Sequence, residues 1–283
     1  MARLLNANFA RIFKGKLFWF CSAAAVALAI IEIVTHIKNP ATDPEYRLIP
    51  ENYLFNMSGF FLLILTAVLT GAFVGAEHSG VLRNKIVVGH DRAKIYFADL
   101  LTGFVGVFIL HILFVGTELF TGFLCNGVFV LTINEILAYE FLQLVSLLGM
   151  CALFTAISML IPQKLAGTIV GLLLIFGFFF ISNGIPGQLH EIEAKIVDGC
   201  ATQTDFVKKE VLIAMQNTLP LGQHYQIGNS VSRLMMNKEY EQSGITDNIE
   251  INYPIEIVLS SACICVLSSA CICVLVFRKK DIK

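Results

Sequence analysis

Glu32, His111, Glu118 and Glu140 are ionisable residues that lie inside long apolar runs of this 283-residue chain. Burying such groups at membrane depth is costly, which makes each a functional candidate by default. Three carboxylates and an imidazole would line a cavity for a cationic or amphipathic substrate, and so form a translocation path. The plainer alternative is interhelical hydrogen bonding or exposure at the outer interface. Glu118 follows His111 by seven residues and falls on roughly the same helix face. Glu32 and Glu118 stand 15 and 22 residues into their runs, far enough at about 1.5 Å per residue to approach the outer leaflet. Neither an H-E-x-x-H pattern nor any comparable convergent set is present, so no catalytic residues are expected and the chain is not read as an enzyme. A G-x-x-x-x-G-K-[ST] loop is also missing, which leaves the chain without a means of cradling ATP phosphates.

A second concentration of polar chemistry runs from Glu77 to Tyr96. Val81, Leu82, Ile86 and Val87 recur at helical intervals among Arg83, Lys85 and other polar residues, predicting a short amphipathic helix closed by Gly89. Asp91 is placed to cap the helix that follows. Such a helix suits docking into a groove of a partner protein; the alternative is that its bases bind anionic lipid heads. The eight cysteines promise less. Six fall within apolar runs, and the tandem octapeptide Ser260–Leu267 and Ser268–Leu275 repeats a Cys-x-Cys pair. Residues two apart on a helix point about 200° away from each other, so Cys263 and Cys265 cannot chelate one ion and no metal site is expected. Cys125 and Cys200 are the two that fall outside the runs, where a disulfide between them is open.

The elements that must position these residues follow from composition. The chain is 56% apolar and 14% charged, with 23 Phe and a mean hydropathy of +0.74. Soluble domains carry about 25% charged residues, so an ordinary soluble enzyme, a disordered chain and a nucleic-acid-binding protein are excluded. The predicted fold is an all-α integral membrane protein. Six runs are long enough to span: Leu17–Ile37, Leu54–Ala76, Tyr96–Leu124, Ile136–Ile161, Leu165–Ile185 and Ile255–Phe277. The fourth and fifth are separated only by Pro162-Gln163-Lys164. Ahead of the first, Leu4, Leu5, Phe9, Ile12 and Phe13 share one side of a helix, predicting an amphipathic helix over residues 1–16 at the inner interface. Ser182 to Gly187, with Pro186, is expected to break the fifth helix.

The chain thus divides into the interfacial helix 1–16, spans one to five over 17–185 with the loop 77–95, an external segment 186–254, and the sixth span with its tail over 255–283. Helices are expected in the external segment around Leu189–Val197, Phe206–Met215 and Val231–Met236, forming either a cap or a solvated connector. Thirteen of the 20 Lys and Arg fall on the side of the two termini, whereas the segment from Pro186 to Pro254 carries nine acids. The positive-inside rule then places both termini in the cytoplasm. Ala67, Gly71 and Gly75 recur every four residues, and Gly167 and Gly171 do likewise. Small-residue faces of this kind permit close helix approach, either at a dimer seam or within one subunit.

The loop resembles the corresponding loop of ABC-2 type transporter permeases, in which a glutamate ending the second span precedes a G-[TV]-[IL]-R-x-K pattern, then a Gly and an Arg. Glu77, Gly80, Val81, Leu82, Arg83, Lys85, Gly89 and Arg92 occupy those positions. The order of segments along the whole chain is also similar, most of all to the small six-span permeases of Gram-positive bacteria associated with drug, bacteriocin or antimicrobial-peptide export and immunity. The resemblance implies half of an ABC transporter in a bacterial cytoplasmic membrane. Its coupling helix would sit near Gly80–Gly89 and contact a separate ATPase subunit that holds ATP and Mg, this chain binding no cofactor. The second half would be another copy or a paralogue, and the exported substrate a drug, a lipid-like molecule or an antimicrobial peptide. The competing expectation is a non-transporting immunity or sensor protein that binds such a peptide through the acidic external segment.

Overall fold

Uninterrupted apolar runs leave the backbone no partner but itself, and in this computed structural model they become helices. The structure describes residues 1–37, 48–55, 58–161, 163, 165–242 and 255–279, and among them there is no strand. In chain order the helices are α1 (Ala2–Lys14), α2 (Lys16–Thr35), α3 (Glu51–Leu54), α4 (Ser58–Gly75), α5 (Val81–Val87), α6 (Arg92–Leu124), α7 (Ile133–Leu160), α8 (Ala166–Val197), α9 (Gln203–Thr218), α10 (Pro220–Gln242) and α11 (Ile255–Lys279). Five of them, α2, α4, α6, α7 and α8, are long and apolar enough to cross a membrane. The chain is therefore read as a multi-pass membrane protein. The described part of α11 carries a shorter apolar stretch, Ala262–Ile272. Pro162 and Lys164 of the expected hairpin, and residues 243–254 of the expected external segment, lie outside the described residues.

Burial sorts the long helices into layers. Two thirds of the apolar window is buried in α4 and in α7 (67% each), against 22% in α8, so α4 and α7 form the centre and α8 the rim. The main core gathers Leu62, Leu69, Tyr96, Leu110, Phe114, Met150 and Phe154 from α4, α6 and α7. The expected small-residue face is used inside the subunit. A Cβ on Gly71 would meet the Thr168 Cα at 2.8 Å, and one on Gly167 would meet the Ser158 Cα at 2.8 Å. A Cβ on Gly171 would come 3.2 Å from Phe154 and 3.5 Å from the Ala67 Cβ, and Gly75 is buried in the last turn of α4. These residues let α8 lie directly on α4 and α7. At α11 the buried stripe is Val258, Ala262 and Ser269. It takes a different position from each copy of the octapeptide, as expected from an eight-residue step that turns a helix about 80° past two full turns.

One element differs from expectation, and two others show packing that the sequence left open. The helix does not break at Ser182–Gly187: α8 runs through Pro186 to Val197. An internal proline loses one main-chain bond and crowds the preceding turn, at about 3 kcal/mol, and the helix on its two sides is held by Ile185 and Ile192 packing with Leu212 of α9. Next, α1 does more than lie flat, because Leu4, Asn8 and Ile12 are buried where it packs on α6. It meets α2 at Gly15, where the chain's single tryptophan, Trp19, donates from its indole N–H to the Phe13 carbonyl at 2.9 Å while its ring stays 64% exposed. Finally, the helical segment after α8 folds back on the bundle. Ile227, Val231 and Met235 of α10 form a second core with Leu54, Phe55, Ile136, Tyr139 and Leu142, and Ser146 of α7 donates to the Gln223 side-chain carbonyl at 3.1 Å.

Gly71→Val and Gly167→Val are each expected to force α8 off its seat and cost about 2–3 kcal/mol, read as a lower unfolding temperature of the detergent-solubilised protein. Gly177→Val, on the same helix with nothing within 4 Å of its Cβ position, is the control expected to leave that temperature unchanged.

Candidate functional site: a charge-locked loop and a buried acid cluster

The loop between α4 and α6 is shaped by two glycines. After a 3-10 turn over Ala76–Ser79 the chain reverses at Gly80, with φ at +108°, forms α5, and turns again at Gly89, with φ at +91°. Both values lie where only glycine is unstrained. Asp91 caps α6, its carboxylate accepting from the Ala93 N–H at 3.3 Å. On α5, Leu82 is buried and Ile86 packs against the main core, while Val81 and Arg83 face outward. Val87 and Val88 are 78% and 76% exposed, and Gly89 beside them is exposed too. Gly80 and Arg92 are half-buried.

Glu77, the first residue of the loop pattern, points into the protein. It is wholly buried, and its Oε1 takes Arg11 Nη1 at 2.6 Å and the Lys85 ammonium. Lys85 also reaches Asp99 Oδ1 at 3.3 Å and donates to Asn8 Oδ1 at 3.1 Å. The Asn8 amide donates to that Asp99 oxygen at 2.6 Å. Arg11 lies 4.0 Å over the Phe73 ring and donates to the Phe73 carbonyl. Two acids and two bases thus form a quartet that ties α1, the 3-10 turn, α5 and α6 together. His78 extends the tie to α7, its Nε2 2.9 Å from the Ser158 carbonyl. Asp99, Asn8 and Arg11 belong to this arrangement although the loop pattern leaves them out. The sequence signal was a carboxylate three residues into the run Tyr96–Leu124.

Far from the loop, α2, α6 and α7 bring all four ionisable candidates together. Glu118 is 1% exposed, with Glu32 and Glu140 near enough for their charges to act on it. His111 Nε2 lies 3.2 Å from Glu140 Oε2. The Gln143 amide, turned with its NH2 group towards Glu140, donates to the same oxygen at 3.2 Å and accepts from the Gly59 N–H at 3.2 Å. Of the alternatives the sequence leaves open for Glu32 and Glu118, exposure at the outer interface gives way to burial. His224, not among the sequence candidates, comes from α10 and is 3% exposed. Burial pushes its ring down to about 4, and the charge of His111 adds to that effect. Gly59 makes room for it, since a Cβ there would stand 2.6 Å from His224 Nδ1.

Another buried acid, Glu51 of α3, is also absent from the sequence candidates; its Oε1 accepts from the Val130 and Leu131 N–H groups at 2.7 and 3.0 Å. That is a structural role, fixing the turn before α7. Cys125 and Cys200 are both free thiols, as are Cys263 and Cys265 on the continuous α11. No protein-family model matches the chain, and no curated protein matches it.

Glu77→Gln removes the charge that balances Arg11 and Lys85. It is expected to cost about 3–5 kcal/mol in chemical or thermal unfolding of the purified protein. Glu77→Gln combined with Lys85→Met leaves Asp99 opposite Arg11 and is expected to recover part of that loss. A double variant no more stable than the single one would show that charge balance is not what holds the loop.

Proposed function

We propose that this chain is the membrane-spanning permease subunit of an ABC-type transporter that exports a drug, a lipid-like molecule or an antimicrobial peptide. The observation that carries the reading is the disposition of α5. Its inner face is anchored by Leu82, Ile86 and the Lys85 ion pairs, while Val81, Arg83, Val87 and Val88 are presented outward. Exposed valines flanked by a base suit a groove on a partner, where about 25 cal/mol is gained per Å² of apolar surface removed from water. A helix so anchored passes displacement on: a push on α5 moves Lys85, and with it Glu77, Arg11 and Asp99 on their separate elements. ATP and Mg belong to the partner ATPase.

In this reading α11 is the sixth span, α1 lies at the cytoplasmic interface with both termini inside, and α9 and α10 lie outside a bacterial cytoplasmic membrane. A second copy or a paralogue completes the path, which passes the cluster of Glu32, His111, Glu118 and Glu140.

Expressed with its chromosomal neighbours, the chain is expected to copurify with an ATPase. Arg83→Glu combined with Val87→Asp should lower the amount recovered by about tenfold without changing the unfolding temperature of the permease. Absence of an ATPase, or resistance and transport untouched by these changes, would overturn the proposal. Retained binding of an antimicrobial peptide would then favour the immunity reading.

A further inference from the structure

The chain's buried acids fall into two kinds. Glu77 is met by Arg11 and Lys85, Asp99 by Lys85 and Asn8, and Glu51 by two main-chain N–H groups, each through one oxygen while the second has no partner among the described residues. At the other cluster the protein supplies far less. Both carboxylate oxygens of Glu32, both of Glu118 and Oε1 of Glu140 have no hydrogen-bond partner among the described residues. Only His111 and Gln143 approach, and both are directed at the one remaining oxygen, Glu140 Oε2. The inventory is five unused acceptors at 1–5% exposure, with no lysine or arginine paired to them among the described residues.

We propose that this cluster binds the ammonium head of an organic amine, with α10 as its cover. An ammonium group brings the two things missing, positive charge and several N–H donors, and it offers the donors in separate directions. Among the described residues no three His, Cys, Asp or Glu side chains converge as the ligands of a metal ion would, so the arrangement suits a hydrogen-bonding cation better than a bare one.

His224 is the independent observation that points to a ligand. It enters from α10 rather than from the acid-bearing helices, is 3% exposed, and has no partner for either ring nitrogen among the described residues. Gly59 leaves it the space it occupies, and its charge and that of His111 act on each other. As a neutral ring it offers one more acceptor on the side that α10 closes. The adjoining Gln223–Ser146 bond and the packing of Ile227 and Val231 hold α10 across this end of the bundle.

The proposal deepens the transport reading by naming the charged group of the substrate, and rests on that reading for the placing of the site on a path. Its test needs no ATPase, so the two fail separately. Hexylammonium is titrated onto the purified full chain in nanodiscs of neutral lipid, and the unfolding midpoint is followed, since a ligand of the folded state raises it by mass action. Hexanol and potassium chloride are the comparison probes. Hexylammonium is expected to raise the midpoint saturably, and hexanol and potassium to leave it unmoved. Glu118→Gln and Glu32→Gln, each nearly isosteric, should weaken the apparent affinity for hexylammonium about tenfold. Asp198→Asn, at an exposed acid, should not change it. The unliganded midpoint of each variant reports its folding, so one poorly folded variant leaves the other to decide. No rise in the wild type, an equal rise with hexanol, or an undiminished rise in the Gln variants would overturn the proposal.

Discussion

A charge taken out of water must meet its opposite, and at the α5 end of the bundle one quartet meets that requirement across several elements. Glu77 comes from the turn after α4, Lys85 from α5, Asp99 from α6 and Arg11 from α1. No two of these elements can settle separately, because each holds the counter-charge of another. The helix that precedes the first long helix is therefore part of the folded bundle, and the loop takes a defined shape although most of its outer face touches nothing. Leu82 and Ile86 supply apolar burial, but the ion pairs select the direction in which α5 leaves the bundle.

The opposite end is built on the reverse principle. Glu32, Glu118 and Glu140 are buried as well, yet five of their six carboxylate oxygens have no hydrogen-bond partner among the described residues. One end pairs its acids with lysine and arginine, and among the described residues the other does not. That asymmetry is coherent for a transporter, which requires a fixed attachment where force is applied and an unsatisfied interior where a passing molecule is recognised. Between the two ends, the close seating of α8 on α4 and α7 through Gly71, Gly167 and Gly171 provides a continuous packed wall.

Local rules made part of this legible in the sequence. Gly89, Asp91 and the alternation of Val81, Leu82, Ile86 and Val87 specify a short helix and its two ends within about a dozen residues, and the structure has that helix. The shared face of His111 and Glu118 follows from helical periodicity alone. What was not legible depends on topology. Arg11 and Glu77 are 66 positions apart, and nothing in either neighbourhood announces the other. His224 sits in a stretch polar enough to read as a connector, and it becomes a buried residue only because Ile227, Val231 and Met235 fold α10 onto α7. The expected break at Pro186 failed for a related reason, since packing with Leu212 of α9 holds the helix on both sides of the proline.

The joint between α1 and α2 has a practical consequence. Trp19 is the chain's single tryptophan, its N–H is held by the Phe13 carbonyl and its ring is largely uncovered. Intrinsic fluorescence excited at the indole therefore reports from one spot, the hinge where the first helix leaves the second. It does so without a label and without background from the rest of the bundle. Detachment of α1 from its seat would free the indole N–H and register as a change in emission, whereas rearrangement at the distant acid cluster would leave the signal silent. The fold thus carries its own optical reporter at the end where its charges are locked.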